Sequence, residues 1–227
     1  MTNKTIIIVG GGSGSRMGSA IPKQFLTLGG EPVLARTVRV FSQALPDAAL
    51  VVALPGPYES WWKELCSTYR VPTHSLCHGG ATRFESVRNA LAVTDPETEW
   101  IGVHDAVRPL VSLHLIRFAF EWAERHGSAI PAVLPVDSFR MIDDVGSHPV
   151  DRNRLRAVQT PQVFRADLLR ETYRQATRTD FTDDASVVES AGYAVSLCEG
   201  ERTNLKLTTP SDLLWAETFL KQENNGQ

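Results

Sequence analysis

Several short segments carry residue types whose spacing could do chemistry. The richest is Gly10-Gly11-Gly12-Ser13-Gly14-Ser15-Arg16-Met17-Gly18, followed by Pro22-Lys23-Gln24. A glycine-rich loop lets backbone amides approach phosphate oxygens, and two fixed cations beside it suit a polyphosphate. Arg16 can fork onto such oxygens, whereas Lys23 acts as a compact point charge. Two familiar phosphate loops do not fit. Gly12, Gly14 and Gly18 are spaced one residue too widely for a G-x-G-x-x-G fingerprint, and no lysine follows a glycine as a P-loop requires.

Gly79-Gly80-Ala81-Thr82-Arg83 leads into Ser86 and Arg88. Two glycines before a helix suit an anion or the polar edge of a base, with Arg83 and Ser86 on one helical face. The same residues equally describe a glycine turn entering a capped helix. His104-Asp105-Ala106-Val107-Arg108-Pro109 places a carboxylate just past a strand-like run. Asp105 could meet a ribose hydroxyl or a magnesium ion, or could pair with Arg108 to brace the turn. Arg152 and Lys206 read, by themselves, as solvated surface cations. His74, Cys77 and His78 do not complete a zinc set, because strand alternation parts Cys77 from His78 and no second cluster follows. Asp180, Asp183 and Asp184 precede a helix and fit caps better than metal ligands.

These segments need elements to position them. Buried strands are expected at 6–9, 49–54, 73–77, 100–104 and 128–136, with helices at 32–42, 58–69, 82–93 and 113–126. That alternation predicts βαβ units and a mostly parallel sheet. From 137 to 152 the pattern changes, and a projecting hairpin is expected with its turn near Asp144. Helices return at 166–176, 183–191 and 211–221, with strands near 195–198 and 205–207. The chain thus reads as one domain over 1–227 with an arm at about 137–152.

The 227 residues carry 23 Lys and Arg against 26 Asp and Glu, a net charge of −3, which offers no global attraction for nucleic acid or an anionic membrane. Hydrophobic residues make up 42% and charged ones 22%, which excludes extended disorder. Three cysteines without a CxxC argue against a disulfide framework. A strand-like run begins within a few residues of the start, leaving no room for a secretory signal, so a cytoplasmic setting is expected.

In order along the chain these segments resemble the 2-C-methyl-D-erythritol 4-phosphate cytidylyltransferase family of the non-mevalonate isoprenoid route. The resemblance runs from about Ile6 to Leu220. It is carried by Gly12 to Met17 with Pro22-Lys23-Gln24, Gly79 to Val87, His104 to Pro109, Asp137-Ser138, Val150 to Arg152, Gln159 to Gln162, Thr182 to Ser186 and Asn204 to Thr208.

The resemblance implies an α/β, Rossmann-like fold, a mostly parallel sheet flanked by helices, with a β-arm used for homodimerisation. It implies cytidylyl transfer from CTP to a polyol phosphate with Mg²⁺ as cofactor. Arg16 and Lys23 are then the catalytic cations, and Arg152, Lys206 and Ser138 position the acceptor. CTP falls to Gly10, Gly11, Gly12, Gly14, Gly79, Gly80, Arg83, Ser86, Asp105 and Ala106. The metal rests mainly on CTP phosphates, with Asp105 as the candidate protein ligand. The family usually carries alanines where this chain has Gly10 and Gly11, which predicts a more mobile loop. It usually carries threonine where this chain has Ser138, which keeps the hydroxyl. Three rivals share features: a ribitol 5-phosphate cytidylyltransferase, a non-catalytic nucleotide-binding regulator, and an NAD-dependent dehydrogenase, the last disfavoured by the glycine spacing.

Overall fold

Ile6 and Ile8 point into one hydrophobic cluster and Ile7 and Val9 into another, and all four are buried. A strand covered on both faces needs no polar alternation, which is why this run is apolar throughout. In the computed structural model, which describes residues 4–11 and 21–225, it forms β1 (Lys4–Val9). A small hairpin of β2 (Thr27–Leu28) and β3 (Glu31–Pro32) leads into α1 (Val33–Ala44). Then follow β4 (Ala49–Leu54), α2 (Glu59–Tyr69), β5 (Ser75–His78), α3 (Arg83–Leu91) and β6 (Trp100–Asp105). Next come α4 (Leu113–His126), β7 (Ser128–Val133), and an antiparallel hairpin of β8 (Phe139–Asp143) and β9 (Gly146–Val150). The chain closes with β10 (Ala157–Val158), β11 (Gln162–Arg165), α5 (Ala166–Gln175), α6 (Asp184–Ser190), β12 (Leu197–Glu199) and α7 (Pro210–Asn225).

The main sheet runs β10-β7-β11-β6-β1-β4-β5, with β12 also paired to β7. β1 is parallel to β4 and β6, β4 is parallel to β5, and Ile7 stands level with both Val51 and Val103. One face is covered by α1, α2 and α4 through Phe41, Trp62, Ile116 and Phe120. The other is covered by α3, α5 and α6 through Phe84, Leu169 and Val188. The fold is α/β, with a central, mostly parallel sheet between helical layers. A third, smaller cluster seats α7 through Ala216 and Leu220 against Leu28, Val107 and Leu207.

Two expectations are corrected. Residues 205–207 form no strand: Leu207 sits in the third cluster, and its amide donates to the Val107 carbonyl at 2.8 Å, a single link rather than a ladder. The strand expected over 128–136 ends at Val133, because the chain turns out toward the hairpin. β10 and β11 were not anticipated. β11 is inserted antiparallel between β6 and β7, where Phe164 faces Ile101 on one side and Ser128 on the other.

The parallel core sets the site. At the carboxyl edge the loops continue the ladder by single bonds: Gly10 N donates to Ala53 O, Ala106 N to Val9 O, and Gly79 N to Leu54 O, at 2.7–3.0 Å. Three glycine- or carboxylate-bearing turns are thereby brought side by side in the crevice where such sheets bind ligands.

Candidate active site

A cleft of about 340 Å³ opens at this edge, lined by Gly10, Gly11, Lys23, Arg83, Asp105 and Lys206 among others. A second hollow of about 140 Å³ shares Arg83, Asp105 and Lys206 and extends to Arg108, Thr160 and Thr182. Asp105 therefore stands between the two.

Its carboxylate is nearly buried and receives three cations. Arg83 Nε lies 3.3 Å from Oδ1, while Arg108 Nε at 3.3 Å and Lys206 Nζ at 2.9 Å reach Oδ2. Burial alone would raise the carboxyl pKa, but these neighbours outweigh it and hold Asp105 well below the usual carboxylate range. The Asp105–Arg108 brace is thus present. Lys206, far from being a solvated charge, joins the same group.

Arg83 also donates to Asp184 Oδ2 at 2.7 Å, and Tyr173 OH donates to the other oxygen at 2.6 Å. Asp184 is fully buried, and its amide and that of Ala185 donate to Gln162 Oε1 at 3.0 and 2.9 Å. Arg83 lines the cleft, with its guanidinium held by two carboxylates. Its place is to join α3, α6 and Asp105. Among the described residues the two hollows are lined by Lys23, Arg83, Arg108 and Lys206 against Asp105 and Asp183, four positive charges against two negative. That surplus suits a polyanion.

Lys23 opens a turn of 3-10 helix that ends at Phe25. Its neighbours anchor it. Gln24 is buried and donates from Nε2 to Gly10 O at 2.7 Å, and Phe25 packs against Trp61 with ring centroids 4.6 Å apart. Gly10 is hence held at both its amide and its carbonyl. A Cβ there would stand 2.6 Å from Leu54 Cδ2, so the buried Leu54 occupies the space a methyl would need. That packing seats Gly10 itself, while residues 12–20 of the loop lie outside the described residues.

On the other wall, α3 carries a complete capping box. Thr82 Oγ1 accepts from Glu85 N, and the Glu85 carboxylate accepts from Thr82 N. The capped helix expected at this turn is present. Ser86 is buried and its hydroxyl is used twice, accepting from Gly80 N at 3.0 Å and donating to Thr82 O at 2.9 Å. A Cβ on Gly80 would meet Glu85 Cβ at 2.2 Å, so only glycine allows this close turn. On this side the cleft runs between Gly10 and Gly11 on one wall and Ala81 and Thr82 on the other, with Ala106 buried beside Gly10. Such a slot offers amides and carbonyls to a flat polar ring.

Lys206 is placed by Asn204, a fully buried residue that enters the sequence reading only as part of the 204–208 segment. Asn204 Nδ2 donates to Thr160 O at 2.8 Å, and its carbonyl accepts from Arg108 Nη1 at 2.8 Å. The alternation of leucines around Lys206 hides this, since it imitates a strand. Gln162 stands in the sequence only as part of a motif, and Asp184, expected among the caps of α6, instead accepts from Arg83 and Tyr173. Asp183 caps α6, accepting from Ser186 N at 3.0 Å, as expected. His74 Nε2 accepts from Trp62 Nε1 at 2.9 Å, a core contact.

Ser138 and Arg152 stand apart from this group. Both are exposed on or beside the β8–β9 hairpin, and neither lines either hollow. Arg152 Nη1 donates to Val136 O at 2.5 Å. Gly12, Gly14 and Arg16 lie outside the described residues. No group of three or more His, Cys, Asp or Glu among the described residues could hold a metal ion.

Comparison with known proteins decides the family. Residues 4–222 match the profile described as IspD, 2-C-methyl-D-erythritol 4-phosphate cytidylyltransferase. The chain belongs to this family. A relative from Phocaeicola vulgatus bearing that name is 46% identical over 219 residues, 96% of this chain and 100% of its own. One from Bacillus cereus is 38% identical over 221 residues, covering 96% and 97%. The crystal structure of the 2-C-methyl-D-erythritol 4-phosphate cytidylyltransferase from Thermus thermophilus superposes with a TM-score of 0.76 at 34% identity, covering 97% of this chain and all of that one. A 4-diphosphocytidyl-2C-methyl-D-erythritol synthase from Anaerococcus prevotii gives 0.83 at 26% identity over 97% and 96%. In this family member the cluster around Asp105 joins the cleft beside the glycine turn to the smaller hollow.

Proposed function

We propose that this chain transfers the cytidylyl group of CTP to 2-C-methyl-D-erythritol 4-phosphate, a step in making isoprenoid precursors. A 4-phosphate oxygen forms a bond to the α-phosphorus, the bond to the β-phosphate bridge breaks, and pyrophosphate leaves. The observation that carries this reading is the cluster of three cations on Asp105, which stands between the cleft that Gly10, Gly11 and Lys23 line and a second hollow.

Transfer between two anions calls for positioning and charge stabilisation more than a protein nucleophile. The acceptor phosphate is already ionised at neutral pH, so no general base is needed. The cytosine occupies the slot between Gly10, Gly11, Gly79 and Gly80, with Ser86 holding the second turn and Ala106 behind. Lys23, with Arg16, stabilises charge growing on the α-phosphoryl and leaving pyrophosphate. Lys206 holds the acceptor phosphate together with Arg152 and Ser138 of a second subunit.

Asp105 alone, already paired with three cations, is no cage for a free ion. It fits one Mg²⁺ carried in on the triphosphate, to which it would be the single protein ligand among the described residues. The ion would draw the phosphate oxygens together and offset their charge.

The homodimer rests on the hairpin. Phe139, Met141, Ile142 and Val145 are 44–96% exposed, and two thin strands need a surface to pack on. The setting is cytoplasmic, with no nucleic-acid partner. No helix among the described residues is long and apolar enough to cross a membrane. Following pyrophosphate release from CTP and Mg²⁺ tests the reaction. Release that depends on methylerythritol phosphate is expected, and release indifferent to it would overturn the reading.

A further inference from the structure

His104 takes no direct part in the chemistry above, yet it is fully buried at the end of β6 and hydrogen-bonded at both ring nitrogens. Nε2 lies 3.2 Å from the Arg108 carbonyl, and Nδ1 lies 3.0 Å from Thr160 Oγ1. A carbonyl can only accept, so Nε2 carries a proton. Thr160 Oγ1 already accepts from the Asp105 amide at 3.1 Å, which leaves its own proton for Nδ1. One tautomer satisfies every partner: Nε2 donates, Nδ1 accepts, and the Thr160 hydroxyl is fully used. The ring also packs on Phe41, centroids 4.6 Å apart, which fixes its plane.

The partners are what give this arrangement a consequence. The bond to Arg108 O closes the 105–108 turn from below, and the Thr160 hydroxyl holds the Asp105 amide at its start. That turn sets where the Asp105 carboxylate and the Arg108 guanidinium stand. Through them it also sets Lys206, which rests on Asp105, and Asn204, whose carbonyl takes Arg108 Nη1. On the CTP side the turn supplies Ala106 and Asp105, and each has holds that do not pass through His104: Ala106 N donates to Val9 O and its carbonyl accepts from Thr37 Oγ1, Arg83 grips the Asp105 carboxylate, and Gly10 is anchored by Ala53 and Gln24.

We infer that His104 is a positioning residue for the acceptor side, holding the 105–108 turn so that Lys206 and Arg108 meet the acceptor phosphate. The inference rests on the proposed cytidylyl transfer.

The test uses full-length His104→Phe and His104→Gln. Phenylalanine keeps a ring against Phe41 but removes both hydrogen bonds, while glutamine can still accept and donate. Loss of two such bonds should raise the acceptor KM by about tenfold, leave the CTP KM within about twofold, and be partly reversed in His104→Gln. Equal rises in both KM values, or an unchanged acceptor KM in a folded His104→Phe, would overturn the inference. Should His104→Phe fail to fold, Thr160→Val removes the bridging hydroxyl with little change of shape and must show the same split; wild-type kinetics there would overturn the inference. The nitrogen-15 spectrum of the ring in wild type is independent of the reaction. A proton on Nε2 and none on Nδ1 is expected, and the opposite tautomer would contradict the geometry whatever the acceptor proves to be.

Discussion

Lys206 Nζ rests 2.9 Å from Asp105 Oδ2, on a carboxylate that Arg83 and Arg108 also reach. The cation proposed to take the acceptor phosphate is therefore held in place before any ligand arrives. Little ordering entropy remains to be lost when the phosphate binds, which is what preorganisation means in practice.

The two lysines should separate kinetically. Lys23→Ala should lower kcat by about 10²–10³, as for other fixed groups aimed at transition-state charge, with CTP binding only modestly weakened. Lys206→Ala should chiefly raise the acceptor KM, because that phosphate is charged before and after reaction. Steady-state kinetics with each substrate varied would check this. A Lys206→Ala defect confined to the CTP KM would mean that the two ends of the site are reversed.

Acid should weaken the fold in two stages. Burial pushes the His104 pKa down from 6.5 to about 3, against the opposing pull of Asp105. The unfolded chain takes up this proton near pH 6.5 while the folded chain refuses it until about 3, so stability falls as pH drops through that window. Asp105 acts lower. Its depressed carboxyl contributes stability above the ordinary carboxylate pKa of about 4, and that is lost as pH falls toward its folded value. Urea unfolding across pH 4–7 should show His104→Gln losing less stability than wild type. Parallel curves would contradict the assignment.

Gly10 and Leu54 should behave as a matched pair. Gly10→Ala places a methyl 2.6 Å from Leu54 Cδ2 and should cost about 1–3 kcal/mol, as overpacked sites do. Adding Leu54→Val should recover part of that loss. Thermal melts of the single and double variants measure the coupling, and strictly additive effects would show that the two residues do not compete for space.

The strands and their buried character were legible because a doubly covered strand leaves the plain signature of Ile6 to Val9. The cluster at Asp105 was legible only in part. Asp105, Lys23 and Lys206 could be picked out as charges at turns and Arg108 as a brace for Asp105, but the contact of Lys206 with Asp105 goes with the Arg108–Asn204 bond, a link across 96 residues that sequence spacing does not show. β11 escaped because four residues, Gln162 to Arg165, with a glutamine and an arginine at its ends, show no period. Gln162 serves α6 rather than the sheet, which explains a polar residue in a buried strand. Residues 205–207 misled for the opposite reason. Their leucines alternate as in a strand, yet Leu207 packs beneath α7.

The arm gives a test of the shared site. Arg152 lines neither hollow of its own chain, and in the proposed dimer it should serve its partner's site. Inactive Lys23→Ala mixed with inactive Arg152→Ala should regain activity on subunit exchange. With equal amounts about half of the dimers are mixed, and one of the two sites in each has both residues intact, so about a quarter of all sites should work. No recovery after demonstrated exchange would show that Arg152 serves its own subunit.

The most direct measurement of the central claim is a competition. The enzyme is given CTP, Mg²⁺ and equal concentrations of methylerythritol 4-phosphate and ribitol 5-phosphate, and the two cytidylyl products are separated and quantified at low conversion. Their ratio is the ratio of kcat/KM for the two acceptors. The account predicts that 4-diphosphocytidyl-2-C-methyl-D-erythritol dominates; a predominance of the ribitol product would contradict it.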